Sequence, residues 1–425
     1  MLARIGIAAA MLAVTGVAQA QSPAQMRVIR TIEVRPAFKA ALAELDREHP
    51  RWIENIVTLT EIPAPPFKEA ERGKAYADMF RKLGLEVSID EVGNVLGLRR
   101  GTQPGGKAIV VSAHLDTVFP EGTPTKVRRE GDKLFAAGVG DDSTGLATQL
   151  SLINAMNAAD IRTPSDILFV GTVGEEGLGD LRGVRHLFTQ GAYKDRIAAF
   201  FSLDGNSTDE FTIGGVGSKR YRLTFTGPGG HSFGAFGLVN PMTALGQTIT
   251  DLYKVQVPAS PKTTYSASVV GGGTSINAIP REAWLEVDMR SESAAELARL
   301  ERQFLDIVGR AVAGENAARS TAEGPVKVDI KLVGDRPAGA TPRDADIVGF
   351  TTAAYASAGI TPRYSSSSTD SNVPMSLGIP AITIARSAQG GRSHSLDEWV
   401  GTTREPALRI LRLDLLSVLA VAGYR

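Results

Sequence analysis

Short apolar runs recur along this 425-residue chain, and several end abruptly in acids or histidine. Ile109-Val-Val-Ser-Ala113 leads into His114-Leu-Asp116. Ile167-Leu-Phe-Val170 leads to Gly174-Glu175-Glu176-Gly177, and Ala199-Phe-Phe-Ser-Leu203 to Asp204. Such runs read as buried strands, and helical patterns separate several of them, notably Gly145–Ala158. Strands alternating with helices predict an α/β sheet covered on both faces. Ligands of an open α/β sheet sit in the crevice at the carboxyl ends of its strands, where these acids and imidazoles fall.

The rest of the chain divides around that core. Ala37–Leu59 reads as one helix, broken by Ile62-Pro-Ala-Pro-Pro66 before a second from Glu69 to Leu83. Further strands are expected at Glu86–Ile89 and Val95–Arg99. Near Gly214-Gly215 the grammar changes. Strand Lys219–Thr226, helix Pro241–Val255, strands Tyr265–Val270 and Ala283–Asp288, helix Ala294–Val312 and strand Val326–Val333 follow in turn. That β-α-β-β-α-β order is the ferredoxin-like arrangement. The α/β pattern then resumes with helix Ile347–Ala358, strand Pro380–Ala385 and helix Pro406–Val421. The expected organisation is a first domain over residues 21–214 and 335–425, interrupted by an inserted α+β domain over 215–334.

Residues 1–20 stand apart: Arg4, an apolar stretch Ile5–Val17, then Ala18-Gln19-Ala20. A basic start, a short apolar core and a small-x-small end describe a cleavable export signal, shorter than the ~20 apolar residues of a membrane span. The expectation is a periplasmic or secreted protein cleaved near Ala20, with no stable membrane span afterwards. Lys+Arg and Asp+Glu both number 46, so no basic excess invites nucleic acid. Cysteine is absent, which excludes disulfides, thiolate zinc sites and a cysteine nucleophile. Any metal must be held by imidazole and carboxylate.

The chain has five histidines, and two lie in the strand-end segments or their downstream counterpart Ser393-His394-Ser395. His114 and Asp116, at i and i+2 on an extended backbone, share a face, so Asp116 is expected to hydrogen-bond one ring nitrogen while the other binds metal. Gly138-Val-Gly140-Asp141-Asp142 precedes a helix; an acid here serves equally as an N-cap, but two acids exceed what a cap needs, and one carboxylate can bridge two cations about 3.5–4 Å apart. Glu175 and Glu176 are costly neighbours unless something positive sits between them. One can ligate metal while the other stays free as general base; a solvated turn is the competing reading. His49 and His186 sit in helical or polar contexts and read as surface residues.

The ordered set His114-x-Asp116, Gly-Asp141-Asp142, Glu175-Glu176-Gly, Asp204, Gly229-Gly-His231-Ser and His394 resembles the dinuclear zinc peptidase and aminoacylase superfamily, which includes peptidase T, glutamate carboxypeptidase and succinyl-diaminopimelate desuccinylase. The match runs from about Trp52 to the C-terminus. The resemblance implies two divalent ions, zinc before cobalt or manganese. His114 and Asp204 would ligate one and Glu176 and His394 the other, with Asp141 bridging, Asp116 orienting His114 and Glu175 as base. It also implies that the inserted domain is a lid and dimerisation unit. His231 would then reach a partner subunit's site in a homodimer, although a structural histidine in a glycine turn is the other reading. Asn277 and Arg290 resemble substrate-carboxylate contacts, with a surface ion pair equally open for Arg290. Ser143 stands where many relatives carry lysine, which leaves Asp141 and Asp142 both open as the bridge. Amide hydrolysis in small peptides, or in N-acyl amino acids, is the implied chemistry.

Overall fold

The computed structural model describes residues 22–103 and 105–425; the segment read as an export signal lies outside them. The chain forms an α/β fold around a nine-stranded sheet. Its middle is parallel: Ala108–His114 lies between Asp166–Thr172 and Ile197–Gly205, and Ala381–Ala385 continues beyond the latter. Every residue of Ala108–His114 and of Asp166–Thr172 is buried, as expected of strands covered on both faces. The chain leaves Ala108–His114 for a neighbour on one side and later returns to the other. The strand order therefore reverses there, and a crevice opens at the carboxyl ends.

A four-stranded antiparallel sheet stands apart, in the order Thr263–Gly272, Glu282–Ser291, Gly217–Thr226, Lys327–Arg336. Helices Pro241–Leu252 and Ala294–Ala318 pack on it, and Leu223, Phe225, Leu285, Leu300 and Phe304 form a core of its own. This is the ferredoxin-like strand order that the element sequence predicted.

The amino-terminal region departs from the expectation. The stretch read as one helix is two, Pro36–Arg47 and His49–Thr60, and another, Pro23–Val34, precedes them. Pro50 lacks an N–H and its ring would strike the carbonyl four residues back, so a helix can begin at His49 but cannot pass through it. The two histidines read as surface residues are also corrected. His49 is buried and stacked on Trp52, with ring centroids 5.7 Å apart, and burial holds its imidazole below the usual value. His186 is 10% exposed and lies 2.9 Å from Glu91.

One buried group opposes folding. Asp414, on the closing helix Arg404–Val421, is fully buried and neither carboxyl oxygen has a hydrogen-bond partner among the described residues. Burial pushes its carboxyl well above the usual 3.8. The native state therefore keeps a proton that the unfolded chain releases, and stability from this group falls as pH rises above about 4. Asp414→Leu is expected to stabilise the protein by about 1–3 kcal/mol at pH 8, with a smaller gain at pH 4. Denaturant unfolding at the two pH values checks this; a variant no more stable at pH 8 contradicts it.

Candidate metal centre

Strand register builds the site. Ser112 pairs with Ser202, so two residues further His114 and Asp204 arrive level at the carboxyl ends of two central strands. His114 Nε2 lies 2.9 Å from Asp141 Oδ1 and 3.9 Å from Asp204 Oδ1. On the other side of Asp141, His394 Nε2 lies 2.9 Å from Glu176 Oε1 and 3.4 Å from Asp141 Oδ2. Asp141 thus turns one oxygen to each imidazole, and its atoms fall with those of Glu176 and His394 inside 4.8 Å. Two imidazole–carboxylate clusters sharing one aspartate suit a pair of neighbouring divalent cations, and the donor set contains no thiolate.

The electrostatics agree. Burial and the neighbouring Asp141 push Asp204 up to about 7. Burial works against a charged His114, yet Asp141, Asp142 and Asp116 raise it well above its usual value. Carboxylates crowded out of water in this way call for positive charge between them.

Asp141 and Asp142 are held differently, although ligand atoms of His114, Asp142 and Asp204 also fall within 4.8 Å of one another. Asp142 caps the helix Ser143–Ala158: its Oδ1 accepts from Gly145 N at 3.1 Å and its Oδ2 from His114 N at 3.0 Å. The capping oxygens are engaged by backbone, whereas Asp141 faces the two imidazoles; this supports Asp141 as the shared ligand. Gly145 is required, since a Cβ there would lie 2.3 Å from Leu203 O. Glu398 fixes the preceding turn, accepting from the backbone N–H groups of Gly138, Gly140 and Asp141 at 3.1, 2.9 and 2.7 Å.

Asp116 does something other than what the spacing predicted. His114 Nδ1 lies 3.0 Å from the backbone oxygen of Asp116, and 3.7 Å from its nearer carboxyl oxygen. The carboxylate instead accepts from Glu175 N at 3.0 Å and Glu176 N at 2.8 Å. It tethers the glutamate loop, which turns at Gly174 with φ 65°. Arg72, fully buried, donates to Leu115 O at 2.8 Å and holds the residue between His114 and Asp116.

Glu175 lies beside the donor clusters. Arg336 Nη1 is 3.3 Å from its Oε1, and Arg336 also donates to its backbone oxygen. Burial and Glu176 raise the Glu175 carboxyl well above its usual value, with Arg336 opposing. Glu175, Glu176, His394, Arg290, Arg220 and Arg336 line a cleft of about 500 Å³. Arg290 Nε donates to Asp288 at 2.7 Å, and Arg220 Nε to the same carboxylate at 3.1 Å. His231 and Asn277 are brought together elsewhere: His231 pairs with Ala278 across a two-stranded ribbon of the inserted unit, and neither lines the cleft. Both are exposed.

Sequence reasoning passed over Arg336, Arg72 and Arg386. Arg386 stands directly after the apolar strand Ala381–Ala385, so the strand-end rule that found Asp204 would have found it too.

An α/β sheet with carboxylates and imidazoles gathered at its switch point, beside a glutamate and an arginine-lined cleft, suits metal-assisted hydrolysis. The chain belongs to peptidase family M20/M25/M40, whose model matches residues 110–410. It is 32% identical over 174 residues to a Pyrococcus furiosus protein named as a LysW-lysine/LysW-ornithine hydrolase, covering 41% of this chain and 47% of that one. It is 25% identical over 213 residues to carboxypeptidase G2 of a Pseudomonas species, covering 49% of each. The chain thus spans half or less of the length of these curated relatives. The crystal structure of aminopeptidase PepT from Bacillus cereus superposes with a TM-score of 0.70 at 20% identity, covering 88% of this chain and 99% of that one.

Proposed function

We propose that this protein hydrolyses an amide bond in small peptides as an exopeptidase. His114 and Asp204 would hold one divalent ion, Glu176 and His394 a second, and Asp141 both. Zinc is the expected metal, with cobalt and manganese tolerated by the same donors. The observation that carries this reading is the sharing of Asp141 between two imidazole–carboxylate clusters beside Glu175. When bound, the ions supply Lewis acidity and make water at the centre a competent nucleophile near neutral pH.

Glu175 Oε1 is engaged by Arg336, which leaves Oε2 to take the proton from water and return it to the departing amine. The arginines of the cleft suit a substrate carboxylate, Arg290 among them, because a guanidinium fork matches it in two places. His231 Nδ1 accepts from Phe233 N and Gly234 N at 3.2 and 3.3 Å, which leaves Nε2 of this exposed residue as the ring donor. That tautomer suits a donor to the oxyanion in the site of a second subunit, with Asn277 beside it. A homodimer through the inserted unit belongs to the same reading, and the export signal in residues 1–20 would place the activity outside the cytoplasm.

The same arginines favour a second reading, an N-acyl amino acid deacylase or desuccinylase, since a carboxylate next to the scissile amide is common to both substrate classes. A screen of di- and tripeptides and N-acyl amino acids, run with chelator and after zinc is restored, tests the proposal. Amino-acid release from peptides that chelator abolishes and zinc restores is the expected result. Preference for N-acyl amino acids would move the assignment to the second reading, and no hydrolysis of either panel would remove both.

A further inference from the structure

We propose that Arg386 is a resident cation on the His114 side of the centre, and that it makes the two ion sites unequal, the His394 side binding first and more tightly. This rests on the two-ion reading above.

The guanidinium is 2% exposed. Its Nη1 donates to Asp141 Oδ1 at 3.2 Å, to the backbone oxygen of Asp204 at 3.1 Å and to Asp204 Oδ1. These two carboxylate oxygens are the ones that His114 Nε2 faces. Nη2 is anchored on Ser393 Oγ at 3.2 Å. The backbone fixes this placement: Arg386 N donates to Gly205 O at 3.0 Å, and Arg386 O accepts from Thr148 Oγ1 at 3.3 Å.

An arginine does not deprotonate in a protein, so this positive charge is permanent. On the His114 side it offsets one of the two carboxylates it touches, Asp141 and Asp204. On the His394 side no arginine or lysine pairs with Glu176 or with Asp141 Oδ2 among the described residues: both oxygens face His394, while Asp141 Oδ1 is the one turned to His114 and Arg386. Asp142 and Glu398, the other acids close by, are both occupied by backbone N–H groups. Ligand charge sets affinity for a divalent ion, so the compensated side binds more weakly. The same contact keeps Asp141 and Asp204 paired when that ion has left, so the carboxylates do not repel one another.

Zinc titration of the metal-stripped protein, followed by competition with a chromophoric chelator, reads this directly. Two resolved steps are expected. His394→Ala should erase the tighter step and leave the weaker. Arg386→Gln should tighten the weaker step by about 10–100-fold, the scale on which groups touching metal ligands act. Arg386→Lys, which keeps the charge, should leave the steps unequal.

Two equal steps in the native protein, a tighter step that survives His394→Ala, or a weaker step loosened by Arg386→Gln would each overturn the proposal. If Arg386→Gln does not fold, the native titration and His394→Ala decide it. Binding of no zinc at all would remove the two-ion reading itself, an outcome distinct from two equal sites.

Discussion

Glu175→Gln is expected to lower kcat/KM on a peptide substrate by about 10²–10⁴-fold or more, with zinc content unchanged. The amide keeps the size of the carboxylate and still accepts from Arg336, so the loop and the cleft stay as they are. It cannot take a proton from water. The paired readouts separate two geometries, because ligand atoms of His114, Glu175 and Glu176 also fall within 4.8 Å of one another. If Glu175 were a ligand, the variant would lose an ion along with turnover. If it is the base, turnover falls and metal analysis gives the native count. Activity retained within a few-fold would remove Glu175 from the proton-transfer role.

The parts of this site that were legible in the sequence share a cause. His114, Glu176 and Asp204 follow buried strands, and a polar group at that place must point into the crevice, so local pattern alone locates them. The ferredoxin-like unit was equally readable, because its element order and the alternation of Lys219–Thr226 need no tertiary information. What was missed depends on chain crossings. Whether His49 is solvated or buried is decided by segments far along the chain, Thr402 and Arg404 among them, that are brought up against it. The break at Glu48 was available in His49-Pro50, but the apolar periodicity runs through it and hides it. The choice between Asp141 and Asp142 turns on which one meets Gly145 N and His114 N, and the second of these lies on another strand.

Asp116 is the clearest case of a residue found for one reason and used for another, and it carries the second large expected effect. Asp116→Asn is expected to lower kcat/KM by about 10–100-fold and to weaken ion binding on the Glu176–His394 side. The wild-type carboxylate accepts two buried N–H groups, from Glu175 and Glu176. An asparagine offers one oxygen and one NH₂, so one of those N–H groups would face a donor and lose its partner, at about 1–3 kcal/mol. The loop carrying both the proposed base and a proposed ligand would shift. His114 should be spared, because its Nδ1 lies closest to the Asp116 backbone oxygen, which the substitution leaves in place. Zinc titration distinguishes the two roles: a tether predicts loss at the tighter step, whereas an aspartate that orients His114 predicts loss at the weaker one. If the His114-side step alone moved, the carboxylate would be acting through the imidazole after all, and the 3.7 Å separation between them would be the contact that matters.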